Sequence, residues 1–112
     1  MKKSVLATLL MALGLISVSA TACGLSRSDR MFTDAIKTNP HNASAYDALG
    51  RIQYMKGCVA EARENLLTAV LLDPKTARAW MNLGLADFKL DRMQEAAAAF
   101  KMSKHLKLAS AK

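Results

Sequence analysis

The sequence predicts an all-α fold in which antiparallel helix pairs stack side by side as a short α-solenoid. The chain repeats itself at an offset of 34 residues, which places Pro40 against Pro74. Self-similarity at this period is typical of helix–turn–helix repeats. Apolar residues within each repeat recur at spacings of three and four, as they do on one face of a helix. The pairs that match at this offset include Ala43/Ala77, Leu49-Gly50/Leu83-Gly84, Tyr46/Trp80, Tyr54/Phe88, Glu61-Ala62/Glu95-Ala96 and Leu66/Phe100.

These matched residues resemble the tetratricopeptide repeat, in which an aromatic residue and Leu-Gly on the first helix face alanines and an aromatic residue on the second. The second unit departs from the pattern at Asp91, Ser103 and Leu108, where Gly, Ala and Pro are expected. Asp tolerates a left-handed turn, so the first departure is minor. The other two suggest that the last helix continues without a further unit. The first unit supplies Tyr46, Leu49, Gly50, Tyr54, Gly57, Ala62, Leu66, Ala69 and Pro74, and the second supplies Trp80, Leu83, Gly84, Phe88, Ala96 and Phe100.

The first 22 residues have the layout of a secretory signal peptide. Lys2 and Lys3 give a positive start, an apolar run spans residues 5–18, and small residues follow up to Ala22. The run is short for a membrane span, which needs roughly 20 apolar residues, so an uncleaved signal anchor ranks last. We therefore expect residues 1–22 to be removed on export.

Cys23 allows two cleavage chemistries at the same bond. Ala20-Thr21-Ala22-Cys23 resembles a bacterial lipobox, although such boxes usually open with Leu, Val or Ile. Lipidation would make residues 23–24 a membrane anchor at the mature N-terminus. Because Gly24 is not Asp, the outer membrane would be the default site, with the domain on its periplasmic face. The alternative is ordinary cleavage, which leaves a soluble periplasmic protein whose Cys23 thiol is available to Cys58.

Length and charge limit the classes of protein. The chain has 112 residues, enough for one small domain, with 16 basic and 9 acidic side chains and a net charge of +7. Loss of Lys2 and Lys3 with the signal peptide lowers that charge to +5. The smaller charge and the export signal argue against nucleic-acid binding and favour a mild attraction to anionic surfaces. Two cysteines are too few for a disulfide framework.

Residues 25–40 form half a repeat unit. Leu25, Phe32 and Ala35 occupy the positions that the apolar face of the next unit's second helix takes at the 34-residue offset. Ser26 begins a capping box three residues before an Asp, and the residue before Pro40 leaves the helical region. The chain therefore opens with a second helix that lacks a first helix.

Residues 41–74 form the first full unit. Asn42 is a suitable N-cap for a helix over about 43–56, and Gly57 suits the left-handed position that ends it. Gly50 has no side chain, so the second helix of the unit is expected to approach closely there.

Residues 75–112 form the second full unit and carry a basic helix end. Thr76 is expected to cap a helix over about 77–90, and the last helix should extend from residue 92 or 93 past Leu106. Its end carries four lysines, Lys101, Lys104, Lys107 and Lys112. Compensation of the helix dipole explains them more simply than a phosphate or lipid site does.

No catalytic set emerges from the sequence. Cys58 lies at a turn, and no second Cys or His is at metal-ligand spacing, so we interpret it as a small packed residue. Glu61 and Glu95 fall in the first turn of a helix, where the dipole favours a carboxylate. We expect neither a cofactor nor an enzymatic activity.

The resemblance implies that the first helix of each unit lines a concave face that binds peptides or partner helices. Tyr54 and Phe88 have an alternative role in packing between helices. A carboxylate clamp of the kind some repeats use is not expected, because Asn82 alone matches it convincingly. The candidate groove residues are Asp47, Arg51, Tyr54, Met55, Arg78, Met81, Asn82, Leu85, Phe88 and Lys89.

The function that these features favour is an exported, lipid-anchored interaction module that scaffolds an envelope assembly such as a pilus or secretion system. The alternatives are a soluble periplasmic adaptor or chaperone, an enzyme that uses Cys58, and a basic surface binder. Two and a half units fall short of the roughly three that solenoids need for stability. The open face of the last helix, around Met102, Leu106 and Leu108, is therefore expected to meet a partner or a second copy of the chain.

Overall fold

The computed structural model describes residues 23–111, which contain five helices and no strand. The signal peptide expected at residues 1–22 lies outside this part of the chain. The α2–α3 and α4–α5 pairs each fall within one predicted unit, and α1 precedes them alone. The helices are α1 (Arg27–Thr38), α2 (Ala43–Met55), α3 (Val59–Leu72), α4 (Ala77–Lys89) and α5 (Met93–Ser110).

The helix starts follow the capping residues that the sequence offers, with one exception. Ser26 forms the expected capping box with Asp29: the Ser26 hydroxyl accepts the Asp29 amide at 3.2 Å, and the Asp29 carboxylate accepts the Ser26 amide at 2.7 Å. The Asn42 side chain accepts an amide of the first turn of α2 at 3.1 Å. Thr76 does not cap α4, because its hydroxyl donates to the Asp73 carboxylate at 3.0 Å and so ties the preceding loop.

The turns within the two units share one left-handed conformation. Gly57 has φ +87° and Asp91 has φ +59°, so the departure from glycine in the second unit is accommodated as expected. In both turns, the amide of the next residue donates to a carbonyl five positions back at 2.9 Å. The same turn geometry therefore sets the angle between the helices of each pair.

The two Leu-Gly positions allow the helices of each pair to approach closely. A Cβ atom on Gly50 would lie 2.6 Å from Cγ of Leu66, and one on Gly84 would lie 2.5 Å from Cε1 of Phe100. These distances are far below the separation of carbon atoms in contact, which is about 3.5–4.0 Å. The predicted role of Gly50 is confirmed, and Gly84 repeats it.

The hydrophobic core lies where α3 meets α4. Trp80 is half-buried against it, and its indole N–H donates to the Pro74 carbonyl at 2.8 Å. The residues buried in this cluster are Ala62, Leu66, Val70, Ala79, Leu83, Ala86 and Ala99. The core therefore joins the two full units into one body.

The outer face of α5 carries both apolar and basic side chains, and Met102 and Leu108 are exposed there as expected. Where α3 uses Leu67 and Val70 in the core that it shares with α4, α5 carries Lys101 and Lys104 at the same repeat positions, and both are exposed. Ser103, the departure from Ala, is fully buried and donates to a first-turn carbonyl of α4 at 2.8 Å. The two exposed lysines make this face less apolar than the face that α3 packs against α4.

Two features are absent from residues 23–111. No helix there is both long and apolar enough to cross a membrane. The same residues contain no group of three or more His, Cys, Asp or Glu placed to hold a metal ion.

Candidate functional site

The first helices of the two full units, α2 and α4, contact each other and form the wall of a groove. A cavity of about 170 Å³ opens there. Its lining residues all belong to the predicted groove set: Arg51, Tyr54, Met55, Asn82 and Leu85. The structure therefore brings half of the predicted residues together around one depression.

The apolar side chains of this groove differ in how much of their surface solvent reaches. Met55 is 76% exposed and Leu85 is also exposed, so both are available to a partner. Tyr54 is half-buried and packs against the core, which fits both of its expected roles. Phe88 is 55% exposed, and neither Phe88 nor Lys89 lines the cavity. Met81 is half-buried and also lies outside the lining.

Three of the predicted groove residues bind one another across the two units. Asp47 is 3% exposed, and one of its carboxylate oxygens accepts Arg78 Nη2 at 2.9 Å. The other oxygen accepts Asn82 Nδ2 at 3.1 Å. Both carboxylate oxygens are thus occupied within the chain, so Asp47 joins α2 to α4 and is not a free partner-binding group. Asp47 also lines a cavity of about 180 Å³ between the two units, and its role as a partner contact stays a prediction.

The exposed charge on the groove helices is positive. Of the two acids on α2 and α4, Asp47 is paired with Arg78, and Asp87 is buried and paired with Arg63 of α3 at 2.5 Å. Buried and paired carboxylates offer little to a partner in solution. The exposed charged residues on these two helices are Arg51, Arg78 and Lys89.

The groove continues towards α1. A second cavity, of about 320 Å³, lies between α1 and α2 and shares Arg51 with the first. Phe32 and Ala35 of α1 line it, and neither residue was predicted from the sequence to belong to a binding surface. The half unit leaves this face of α1 without a first helix of its own among residues 23–111. The missing first helix of the half unit is the sequence feature that could have indicated an open surface at these two residues.

Cys23 and Cys58 form a disulfide. Their Cα atoms are 5.6 Å apart, and 35 positions separate them in the chain. Cys58 is 3% exposed and sits at the N-cap of α3, so it is more than the small packed residue that we inferred from the sequence. One sulfur cannot hold a disulfide and a lipid thioether together. In this structure Cys23 is in the paired state, which the sequence left open as the alternative to lipidation.

Hydrogen bonds, as well as the disulfide, hold the segment just before α1 on the turn between α2 and α3. Lys56 Nζ donates to the Gly24 carbonyl at 2.5 Å and to the Asp29 carboxylate at 2.6 Å. Burial of Asp29 opposes its ionisation, but the hydrogen bonds from Lys56 and Ser26 outweigh it, and the pKa of Asp29 lies below its usual value. Asp29 is therefore an ionised, buried anchor for the N-terminal segment.

Comparison with known proteins agrees with this architecture. Residues 57–107 match the model of the tetratricopeptide repeat. "Cellulose synthase 1 operon protein C" of Komagataeibacter xylinus is 36% identical over 56 residues, which are 50% of this chain and 4% of that protein. A second cellulose synthase operon protein C from the same organism is 34% identical over 56 residues, with the same coverage. The match thus spans a small fraction of each relative's length.

Solved structures show the same helix arrangement. The structure titled "Crystal structure of MamA" superposes with a TM-score of 0.70 at 26% identity, and the match covers 74% of this chain and 48% of that one. The Arabidopsis OM64 TPR domain superposes with a TM-score of 0.68 at 31% identity, covering 72% of this chain and 67% of that domain. This fold is typically a protein-interaction scaffold without enzymatic activity. The repeat period, the helix packing and these matches together identify the chain as a tetratricopeptide repeat protein.

Proposed function

We propose that this protein is an exported interaction module that binds a segment of a partner protein in the groove between α2 and α4, as part of a scaffold in the cell envelope. The observation that carries the proposal is the cavity in which exposed Met55 and Leu85 stand beside Arg51 and Asn82. Exposed apolar side chains rimmed by polar groups are typical of protein-binding surfaces. We expect this groove to bind its partner without catalysis and without a cofactor.

The chemistry of the groove favours a partner segment that combines apolar and acidic side chains. Burial of apolar area contributes roughly 25 cal/mol per Å², so Met55 and Leu85 would supply affinity. The exposed positive charges of Arg51 and Lys89 would select acidic groups and exclude basic ones, whereas the charge of Arg78 is already paired with Asp47. Asn82 keeps its carbonyl oxygen for a partner's backbone N–H while its amide nitrogen binds Asp47.

Export is supported by the signal-peptide layout of residues 1–22 and by the disulfide, because structural disulfides persist in oxidising compartments. The relatives named for a cellulose synthase operon are compatible with an envelope role. Two locations follow from the two states of Cys23. The lipidated state would place the domain on the periplasmic face of the outer membrane. The disulfide-bonded state favours the second candidate function, a soluble periplasmic adaptor.

The binding proposal can be tested with a photo-reactive amino acid placed in the groove. The side chain at Leu85 is exchanged for the cross-linker in the full chain, and the bacteria that produce it are irradiated. We expect a discrete covalent adduct with an envelope protein. Leu71 of α3 is also exposed but lies outside the groove, so a cross-linker there is the matched control and should not give the same adduct.

The charge of the groove provides the second arm. Arg51→Glu should abolish the Leu85 adduct, because it reverses the charge that the two cavities share. Lys101→Glu makes the same change of charge on the exposed face of α5 and should leave the adduct intact. Equal adducts from Leu85 and Leu71, or an adduct that survives Arg51→Glu, would show that the partner does not bind in this groove.

Self-association through the last helix stays a prediction. The lysines at positions 101 and 104 oppose it, because a second basic copy would meet like charges on this face. Sedimentation of the purified domain over a range of concentrations measures it directly. A monomer throughout that range would assign the face of α5 to the end of the stack.

A further inference from the structure

We propose that Cys58 decides whether this protein is anchored in a membrane, because its disulfide and the lipid compete for the same sulfur of Cys23. The inference rests on the proposed export of the chain. In the disulfide-bonded state Cys23 cannot accept a diacylglyceryl group, and the mature protein is soluble in the periplasm. When Cys58 is absent or stays reduced, Cys23 remains available for lipidation.

The fold brings the two cysteines together through contacts that would persist without the disulfide. Lys56, two residues before Cys58, holds the Gly24 carbonyl, one residue after Cys23. The capping box of α1 fixes Asp29, which Lys56 also binds. These hydrogen bonds place the two thiols at bonding distance as the chain folds. Two groups held in this way react as an intramolecular pair with a high effective concentration.

The position of Cys58 in the fold favours disulfide formation over lipid transfer once the domain has folded. Cys58 is buried at the N-cap of α3, and the disulfide covers it. Only residues 24–26 separate Cys23 from α1, so a folded domain draws Cys23 onto the α2–α3 turn and away from the bilayer surface. Lipid transfer must therefore reach Cys23 before residues 23–58 have folded and been oxidised.

The two reactions at Cys23 are chemically exclusive. In the first, the thiols of Cys23 and Cys58 give two electrons and two protons to a protein disulfide of the periplasm, which becomes a dithiol, and an S–S bond forms. In the second, a phospholipid donor transfers its diacylglyceryl group to the Cys23 thiolate. A C–S bond forms, the C–O bond to the phosphorylated head group breaks, and the thiol proton leaves with that group. Each reaction consumes the sulfur that the other needs.

The test is the intact mass of the full chain expressed with its own N-terminus in a bacterium that has an outer membrane. For the unmodified sequence we expect residues 23–112 without acyl groups, two hydrogen atoms lighter than the dithiol, in the soluble periplasmic fraction. For Cys58→Ser we expect a shift to the membrane fraction and a mass that includes acyl chains on Cys23. The double variant Cys23→Ser, Cys58→Ser should stay without acyl groups.

A second perturbation avoids any effect of the substitution on folding. The unmodified chain is expressed in a host that lacks its periplasmic thiol oxidase, and we expect the acylated mass there as well. An acylated chain with an alkylatable Cys58 in the oxidising host would overturn the inference and leave the proposed function standing. An unacylated Cys58→Ser chain with a free Cys23 thiol would also overturn it. A full-length mass in the cytoplasm would overturn the proposed export and the inference together.

Discussion

Reduction of the Cys23–Cys58 disulfide should remove a large part of the stability of this domain. The bond closes a loop of 35 positions. In the loop-entropy relation, a closed loop of about 15 residues is worth about 3 kcal/mol and one of about 100 residues about 4.7 kcal/mol, so this loop contributes about 4 kcal/mol. Single domains are stable by about 5–15 kcal/mol, and this one has few repeats. The disulfide is therefore expected to supply a third or more of the free energy of unfolding.

The assay is urea unfolding of residues 23–112, monitored by far-UV circular dichroism with and without dithiothreitol. In thermal unfolding of the same samples, a loss of about 4 kcal/mol corresponds to a fall in the melting temperature of roughly 15–30 °C, since each kcal/mol shifts a domain of this size by about 4–8 °C. Reduction removes no side-chain carbon and adds only two thiol hydrogens, which are weak donors, so the change reports mainly the loss of the cross-link. The double variant Cys23→Ser, Cys58→Ser is the control and should not respond to dithiothreitol.

This expectation would be refuted if complete reduction, verified by alkylation of both thiols, changed the free energy of unfolding by less than about 1 kcal/mol. That result would mean that the hydrogen bonds from Lys56 already hold the N-terminal segment as firmly as the disulfide does. A protein that purifies as the dithiol from an oxidising periplasm would refute the pairing itself.

Four further predictions concern buried polar groups and close packing. Folding lowers the pKa of Asp29, so its carboxylate should stabilise the fold above the unfolded pKa of about 3.9. This contribution is lost as the pH falls through the pKa of Asp29 in the folded state. The difference in free energy of unfolding between the unmodified chain and Asp29→Asn should therefore shrink between pH 6 and 3 in urea unfolding. The same experiment at pH 6 should show that Lys56→Met weakens the fold, because it leaves the Asp29 charge buried without its partner. Gly84→Ala should cost about 1–3 kcal/mol in thermal unfolding, because the added Cβ meets the Phe100 ring, and Phe100→Leu in the same chain should recover part of the loss. Asp47→Asn should lower stability by about 1–3 kcal/mol but leave the groove cross-link in place, whereas loss of the adduct would return this residue to the binding surface.

The sequence by itself determined the helices, their turns and their close contacts. Each of these features depends on neighbours in the chain or on a slot that recurs in the next unit. The capping box at Ser26 needs a partner three residues away, and the left-handed turn at Asp91 needs only that residue's own backbone tolerance. Gly50 and Gly84 occupy one slot and face a large side chain in both units. Helix caps and turn conformations depend on nearby residues, and repeated contacts recur at a fixed offset, so both can be predicted from a single sequence.

The tertiary structure alone decided which distant side chains meet. Asp47 was assigned to the groove because it lies on the first helix of its unit. Its slot in the next unit holds Met81, which gives no hint of the ion pair with Arg78. The residue at the slot of Cys58 in the next unit is Arg92, so the repeat gives no sign of a disulfide either. Such contacts depend on how one unit rotates against its neighbour and on where the N-terminal segment lies. That geometry is set by packing of the whole stack, and it converts two cysteines 35 positions apart into a single cross-link.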